Sequence, residues 1–194
     1  MMDAVTTDEG ELTLPDLTPA ARRILDAAAE LFYLHGIHAV GVDTIAATSG
    51  VTKRTLYDRF GSKDVLVATY LRARHVAWWA RLDERLEVAP EPRALAVFDA
   101  YAEDAPSVER GCAFLNAAGE LSADHPAHAV IRAHKHAVRA RLEDLVLADR
   151  PKLDAPATAD HLFLLLEGGV AQRGIDGDAR LMRSARETAA RLLG

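Results

Sequence analysis

Apolar residues recur at three- and four-residue intervals through most of the chain, and no stretch alternates apolar with polar residues as a half-buried strand does. The pattern predicts helices almost throughout. Thr18-Pro19 opens the first, with proline where no amide donor is needed. Ile24, Ala28, Leu31 and Phe32 then form one apolar stripe until Gly36 ends it. Two short helices follow, Val42 to Ser49 and Lys53 to about Arg59, separated by Gly50. Ser62 caps a fourth, running to about Glu87 and roughly 35 Å long at 1.5 Å per residue. Pro90 and Pro92 break the chain before a helix through Phe98 and Tyr101, which Pro106 closes. A further helix carries Phe114 to Leu121. Pro126 starts another, with Ile131, Val138 and Leu145 at heptad spacing and Leu142 between them. Pro151 and Pro156 punctuate the loop before a last pair, about Thr158 to Arg173 and Asp178 to Leu193.

Residues 45 to 63 carry the most chemistry. They read as a helix, a tight glycine turn and a second short helix, the arrangement that lays a helix in the major groove of DNA. Ile45 and the small Ala46 face inward, so a crossing helix approaches closely. Gly50 stands where the chain turns sharply, and glycine accepts a left-handed backbone without steric cost. Val51 and Leu56 supply apolar contacts between the helices. Thr52 is placed as an N-cap, its hydroxyl accepting a free amide of the first turn. Lys53 and Arg54 break the local rule, because cations in a first turn oppose the helix dipole by roughly 0.3–1 kcal/mol each. A polyanion removes that conflict. Unlinked to DNA, the same residues read as an ordinary solvated face.

Charge sharpens the contrast. Between Ser49 and Lys63 four cations (Lys53, Arg54, Arg59, Lys63) stand against Asp58 alone, in a chain of 194 residues with net charge −6. Residues 1 to 17 hold Asp3, Asp8, Glu9, Glu11 and Asp16 without a Lys or Arg. That acidic leader is expected to be disordered, and DNA repels it. Local distribution rather than overall charge steers nucleic-acid binding. The single cysteine, Cys112, excludes an intrachain disulfide and is compatible with the cytoplasm. No apolar run approaches the roughly 20 residues of a membrane span, and the acidic N-terminus is no signal peptide.

At these residues the sequence resembles the tetracycline-repressor (TetR) family of bacterial transcription regulators. The resemblance begins at Arg22-Arg23-Ile24-Leu25-Asp26-Ala27-Ala28-Ala29-Glu30-Leu31-Phe32, with Gly36 beyond. It continues through Val42-Asp43-Thr44-Ile45-Ala46 and Gly50-Val51-Thr52-Lys53-Arg54-Thr55-Leu56-Tyr57 to Phe60 and Ser62-Lys63-Asp64. Weaker likeness to the companion domain of one branch runs from Gly111-Cys112-Ala113-Phe114-Leu115-Asn116 to Glu120, and from His125-Pro126 to His134-Lys135. Three departures stand out: Gly41 where Ser or Thr is usual, Arg54 where a small residue is common, and no basic arm before the first helix. The resemblance implies an all-α fold of about nine to ten helices. Residues 18–64 form a three-helix DNA-binding domain with the helix-turn-helix, and 65–194 a ligand-binding and dimerisation domain.

It further implies a transcriptional regulator, a repressor released from a palindromic double-stranded operator by a small-molecule inducer, with no catalytic residue, metal or cofactor. Lys53 and Arg54 are expected near base edges, Thr52 and Thr55 at the groove or phosphates, and Tyr57 and Lys63 on phosphates. Thr44 and Arg59 complete the expected interface. Trp78, Trp79, Phe98, Tyr101, Phe114, Asn116 and Glu120 are ligand candidates, with ordinary core as the alternative for every aromatic. Cys112, Asn116 and Glu120 fall at i, i+4 and i+8, a polar stripe that either meets the ligand or satisfies neighbouring helices.

The Leu162–Leu166 and Gly168–Ala171 segment is apolar around most of its circumference, and such a helix needs cover on all sides. Pairing it with the Ile131–Leu145 helix across two subunits makes a four-helix interface and a homodimer. A central core helix is the alternative. Among the histidines, His134 and His136 point to different sides of a helix and share a metal poorly. His75, Glu120 and His134 converge only if three helices bring them together. Two other classes stay open: a small helical enzyme, and a ligand-independent helical interaction module.

Overall fold

The computed structural model describes residues 12–104 and 110–194. Most of the acidic leader, with its expected disorder, lies outside the described residues, as does Pro106. Nine helices run through the described chain: α1 (Pro19–His35), α2 (Val42–Ser49), α3 (Lys53–Phe60), α4 (Lys63–Val88), α5 (Ala94–Glu103), α6 (Ala113–Glu120), α7 (Ala127–Asp149), α8 (Ala155–Asp176) and α9 (Arg180–Leu193). No strand occurs among the described residues. No helix among them is long and apolar enough to cross a membrane.

The helix starts are set by side chains that satisfy free amides. Thr18 accepts from the Ala21 amide at 3.3 Å, with Pro19 in the first turn. Ser62 accepts from Val65 at 3.1 Å, and Asp154 from Ala157 at 3.2 Å. Each such cap stabilises by about 1 kcal/mol. Asp154 also corrects the expected start of the eighth helix. The helix begins at Ala155, not about Thr158, and Pro156 lies inside its first turn, where a missing donor costs nothing. It also runs past Arg173 to Asp176, ending at Gly177 with φ 71°.

The chain divides into two compact units, one up to Val76 with Ala113–Ala133, the other Ala77–Cys112 with His134–Gly194. In the first, α1 packs on α2 and α3. Its core holds Ile24, Leu25, Ala28, Phe32, Ile45, Leu56, Phe60, Leu66 and Tyr70, all buried. Phe32 and Tyr70 meet with ring centroids 5.7 Å apart.

In the second, α8 and α9 lie along each other and both touch α5. Gly169 makes that approach feasible, because a Cβ there would stand 3.0 Å from the Met182 sulfur and 3.1 Å from its Cα. Ion pairs tie the perimeter. Arg93 grips the buried Asp149 carboxylate through Nε at 3.0 Å and a terminal nitrogen at 2.6 Å, and Arg186 grips Asp99 with two bonds. The α8 surface divides by face. Leu162, Leu166 and Val170 are buried within the unit, whereas Leu164 and Ile175 are 69% and 74% exposed.

Candidate DNA interface

The helix-turn-helix forms as its residues dictate. Gly50 adopts φ 66°, ψ 26° and ends α2 by donating to the Ala46 and Ala47 carbonyls. No heavy atom lies within 4 Å of a Cβ built there, so backbone conformation alone requires glycine. Val51 donates to Ala46 at 3.2 Å and closes the turn. Thr52 then caps α3, its hydroxyl accepting from the Thr55 amide at 3.1 Å and lying 2.9 Å from the Thr55 hydroxyl. Leu56 and Phe60 bury the inner face of α3. Lys53, Arg54, Tyr57, Asp58 and Arg59 are left on the solvent side. Gly41 precedes α2 without a side-chain cap, as the departure from the family pattern anticipated.

The exposed cations differ in how free they are. Lys53 stands 3.0 Å from Asp43 of α2, both side chains about half or more exposed. The dipole conflict read from sequence is thus partly compensated inside the unit. Asp43 was missed as a partner, although an acid in the first turn of α2 was its signal. Such an exposed pair is worth about 0–1 kcal/mol and exchanges readily for another anion. Arg54 is 92% exposed, with only Asp58 at 3.9 Å one turn on. Thr44 and Arg59 are exposed, Tyr57 is 42% exposed, and Thr55 is half-buried.

Lys63 lies differently from the rest. Its ammonium donates to the Ile37 carbonyl at 2.6 Å and sits 5.9 Å from the centre of the Phe32 ring. Burial pushes its pKa below the usual lysine value, against the raising influence of Asp64 and Glu120. Sequence alone did not announce this inward role.

The ligand candidates fall into two groups. In the second unit Trp78, Phe98 and Tyr101 are buried and Trp79 is half-buried. Trp78 packs edge-on against Tyr101 (4.9 Å between centroids) and against His134 (5.6 Å). The Tyr101 hydroxyl lies 3.3 Å from His134 Nε2, and burial pushes the phenol well above its usual pKa. Among the described residues the buried Trp78 indole N–H has no hydrogen-bond partner. Lys135 binds Glu167 at 2.7 Å and lies 3.7 Å from the Cys112 sulfur.

In the first unit Phe114 is buried and Asn116 half-buried on α6. Glu120, at the end of α6, accepts from the Ile37 amide at 2.6 Å and the His38 amide at 3.1 Å. Cys112 precedes α6, so the expected stripe is not carried on one helix. Among the described residues no three His, Cys, Asp or Glu side chains gather as a metal site, and His75, Glu120 and His134 form no such group.

Comparison with known proteins agrees with this geometry. The sequence profile of the bacterial regulatory proteins, tetR family, matches residues 24–70. A curated relative, the HTH-type transcriptional activator FasR of Mycolicibacterium smegmatis, is 46% identical over 54 residues, and the chain covers 24% of that relative's length. The structure is similar over 90% of the chain to a TetR-family transcriptional regulator from Streptomyces coelicolor, at TM-score 0.81 and 30% identity, covering 94% of that chain. A TetR transcriptional regulator from Streptomyces avermitilis matches over 90% of this chain and 99% of its own, at TM-score 0.70 and 29% identity.

Proposed function

The chain belongs to the TetR family of bacterial regulatory proteins, and on that premise we propose that it is a homodimeric repressor, released from a palindromic operator by a small ligand. As a member of that family it is a sequence-specific, DNA-binding transcriptional regulator acting through its helix-turn-helix. The observation that carries the finer reading is α3 itself. It is a capped helix anchored by Leu56 and Phe60, with Lys53, Arg54, Tyr57 and Arg59 turned to solvent.

In this reading Arg54 and Lys53 meet base edges, Arg54 as the freer of the two. Thr44, Thr52, Thr55, Tyr57 and Arg59 meet the groove and phosphates. One short helix contacts few bases, and two-fold symmetry doubles the contacts on a palindrome. The uncovered Leu164 and Ile175 of α8 support a seam between subunits, because a helix face of that kind asks for apolar cover.

The ligand binds among the aromatic residues Trp78, Trp79, Phe98 and Tyr101 of the second unit. A buried indole N–H without an acceptor supports this, since such a donor costs about 1–3 kcal/mol until an acceptor reaches it. The ligand works by binding one arrangement of the dimer better than the other.

The experiment is selection of bound sequences from random duplexes by the purified protein, followed by transcription from a promoter overlapping the recovered site. A palindrome and reduced transcription are the expected results. Enrichment of no sequence overturns the reading, and increased transcription overturns its repressor part.

A further inference from the structure

The turn between α1 and α2 is held by two charged side chains from outside the reading helices. Ile37 is clamped on both of its peptide groups: its amide donates to Glu120 at 2.6 Å and its carbonyl accepts from Lys63 at 2.6 Å. Glu120 also accepts from the His38 amide, and the Glu120 carbonyl engages the His38 ring. The carboxylate seats so closely that a Cβ on Gly36 would lie 3.0 Å from it, in a residue whose φ of 88° already favours glycine.

Three features make this contact more than packing. Glu120 ends α6, where a carboxylate is unfavourable against the negative end of the helix dipole and no basic residue stands in the last turn, and the Ile37 and His38 amides compensate it. The helix that follows the turn, α2, starts after Gly41 without a side-chain cap, so no cap of its own fixes its N-terminus. Finally, α3 packs on both α1 and α2, so the angle between those two helices bears on where the reading helix lies.

We propose that Glu120 is a positioning residue of the DNA-reading head, its carboxylate docking on the Ile37 and His38 amides to fix the angle at which α2 and α3 meet the operator. Lys63 is its counterpart on the same turn, and both act through Ile37. Glu120 therefore serves DNA presentation, not ligand contact. The positioning role rests on the DNA-binding reading and needs no ligand, so it is tested without one.

The test uses the full chain, the selected operator, and a set of duplexes in which the half-site spacing is changed by one and two base pairs. Glu120→Ala removes charge-assisted bonds to two amides and is expected to weaken operator binding about ten-fold. The preferred spacing is expected to broaden or shift, and amide exchange at Ile37 and His38 to quicken. Glu120→Gln keeps one carbonyl acceptor and falls between, and carries the test where the alanine variant does not fold. Combined with Lys63→Met, the losses are expected to be non-additive, because both groups hold one residue. Unchanged affinity and spacing in Glu120→Gln and Glu120→Ala overturns the proposal. So does a loss equal at every spacing that follows the unfolded fraction. Failure of the wild-type protein to prefer any operator overturns the DNA-binding reading instead.

Discussion

In the proposed interface Arg54 and Tyr57 would make two kinds of contact with DNA. An arginine bidentate to guanine discriminates by roughly 1–3 kcal/mol, so Arg54→Ala is expected to relax selectivity at one or two operator positions in a binding-site selection. Tyr57→Phe removes a hydroxyl that the proposed reading places on phosphate, and is expected to weaken binding to operator and unrelated duplex alike. A changed base preference would contradict its role. Thr52, besides its proposed place at the groove, also works within the fold: Thr52→Ala leaves the Thr55 amide without its cap and is expected to cost about 1 kcal/mol in thermal or urea unfolding. His75 is a pH-sensitive core residue. It is 8% exposed, and burial lowers its pKa from the ordinary 6.5. Above that value both folded and unfolded forms are neutral. As pH falls below about 6.5 the unfolded chain takes the proton first, so stability declines until the folded pKa is reached and then levels. His75→Gln is expected to flatten this dependence, read as urea midpoints at about pH 7 and about pH 5.5.

At the scale of elements, α8 carries the sharpest expectation. Leu164 and Ile175 lie exposed on a helix whose other face, Leu162, Leu166 and Val170, is buried. Leu164→Asp is expected to dissociate the dimer in analytical ultracentrifugation with helicity retained, since each subunit loses the roughly 1.5–3 kcal/mol of burying a leucine. A dimer of undiminished affinity would move the seam elsewhere. Most of the elements were legible because their punctuation is chemical: Thr18-Pro19, Gly50, Thr52 and Ser62 mark ends through groups that accept amides or permit a turn. Pro156 was misread as loop because a proline reports only a missing donor, which suits a first helical turn equally well. The exposed face of α3 was equally legible, since the helix has a two-residue apolar anchor and a charged remainder. Lys63 and Glu120 were not. Their partners are backbone groups of Ile37 and His38, Glu120 lying 83 residues from Ile37 in sequence, and a backbone amide leaves no trace in residue identity.

For the whole molecule, the account requires two reading heads at a fixed separation, their centres about 34–36 Å or a multiple apart along the duplex. Binding must then fall steeply with salt, as phosphate contacts release counterions, despite the net charge of −6. The most direct measurement is footprinting of the purified protein on its selected site across a salt titration. The account predicts a protected palindrome, occupied by two subunits, whose half-sites face the same side of the helix. A strictly monomeric protein, or protection that shows no sequence preference, would contradict it.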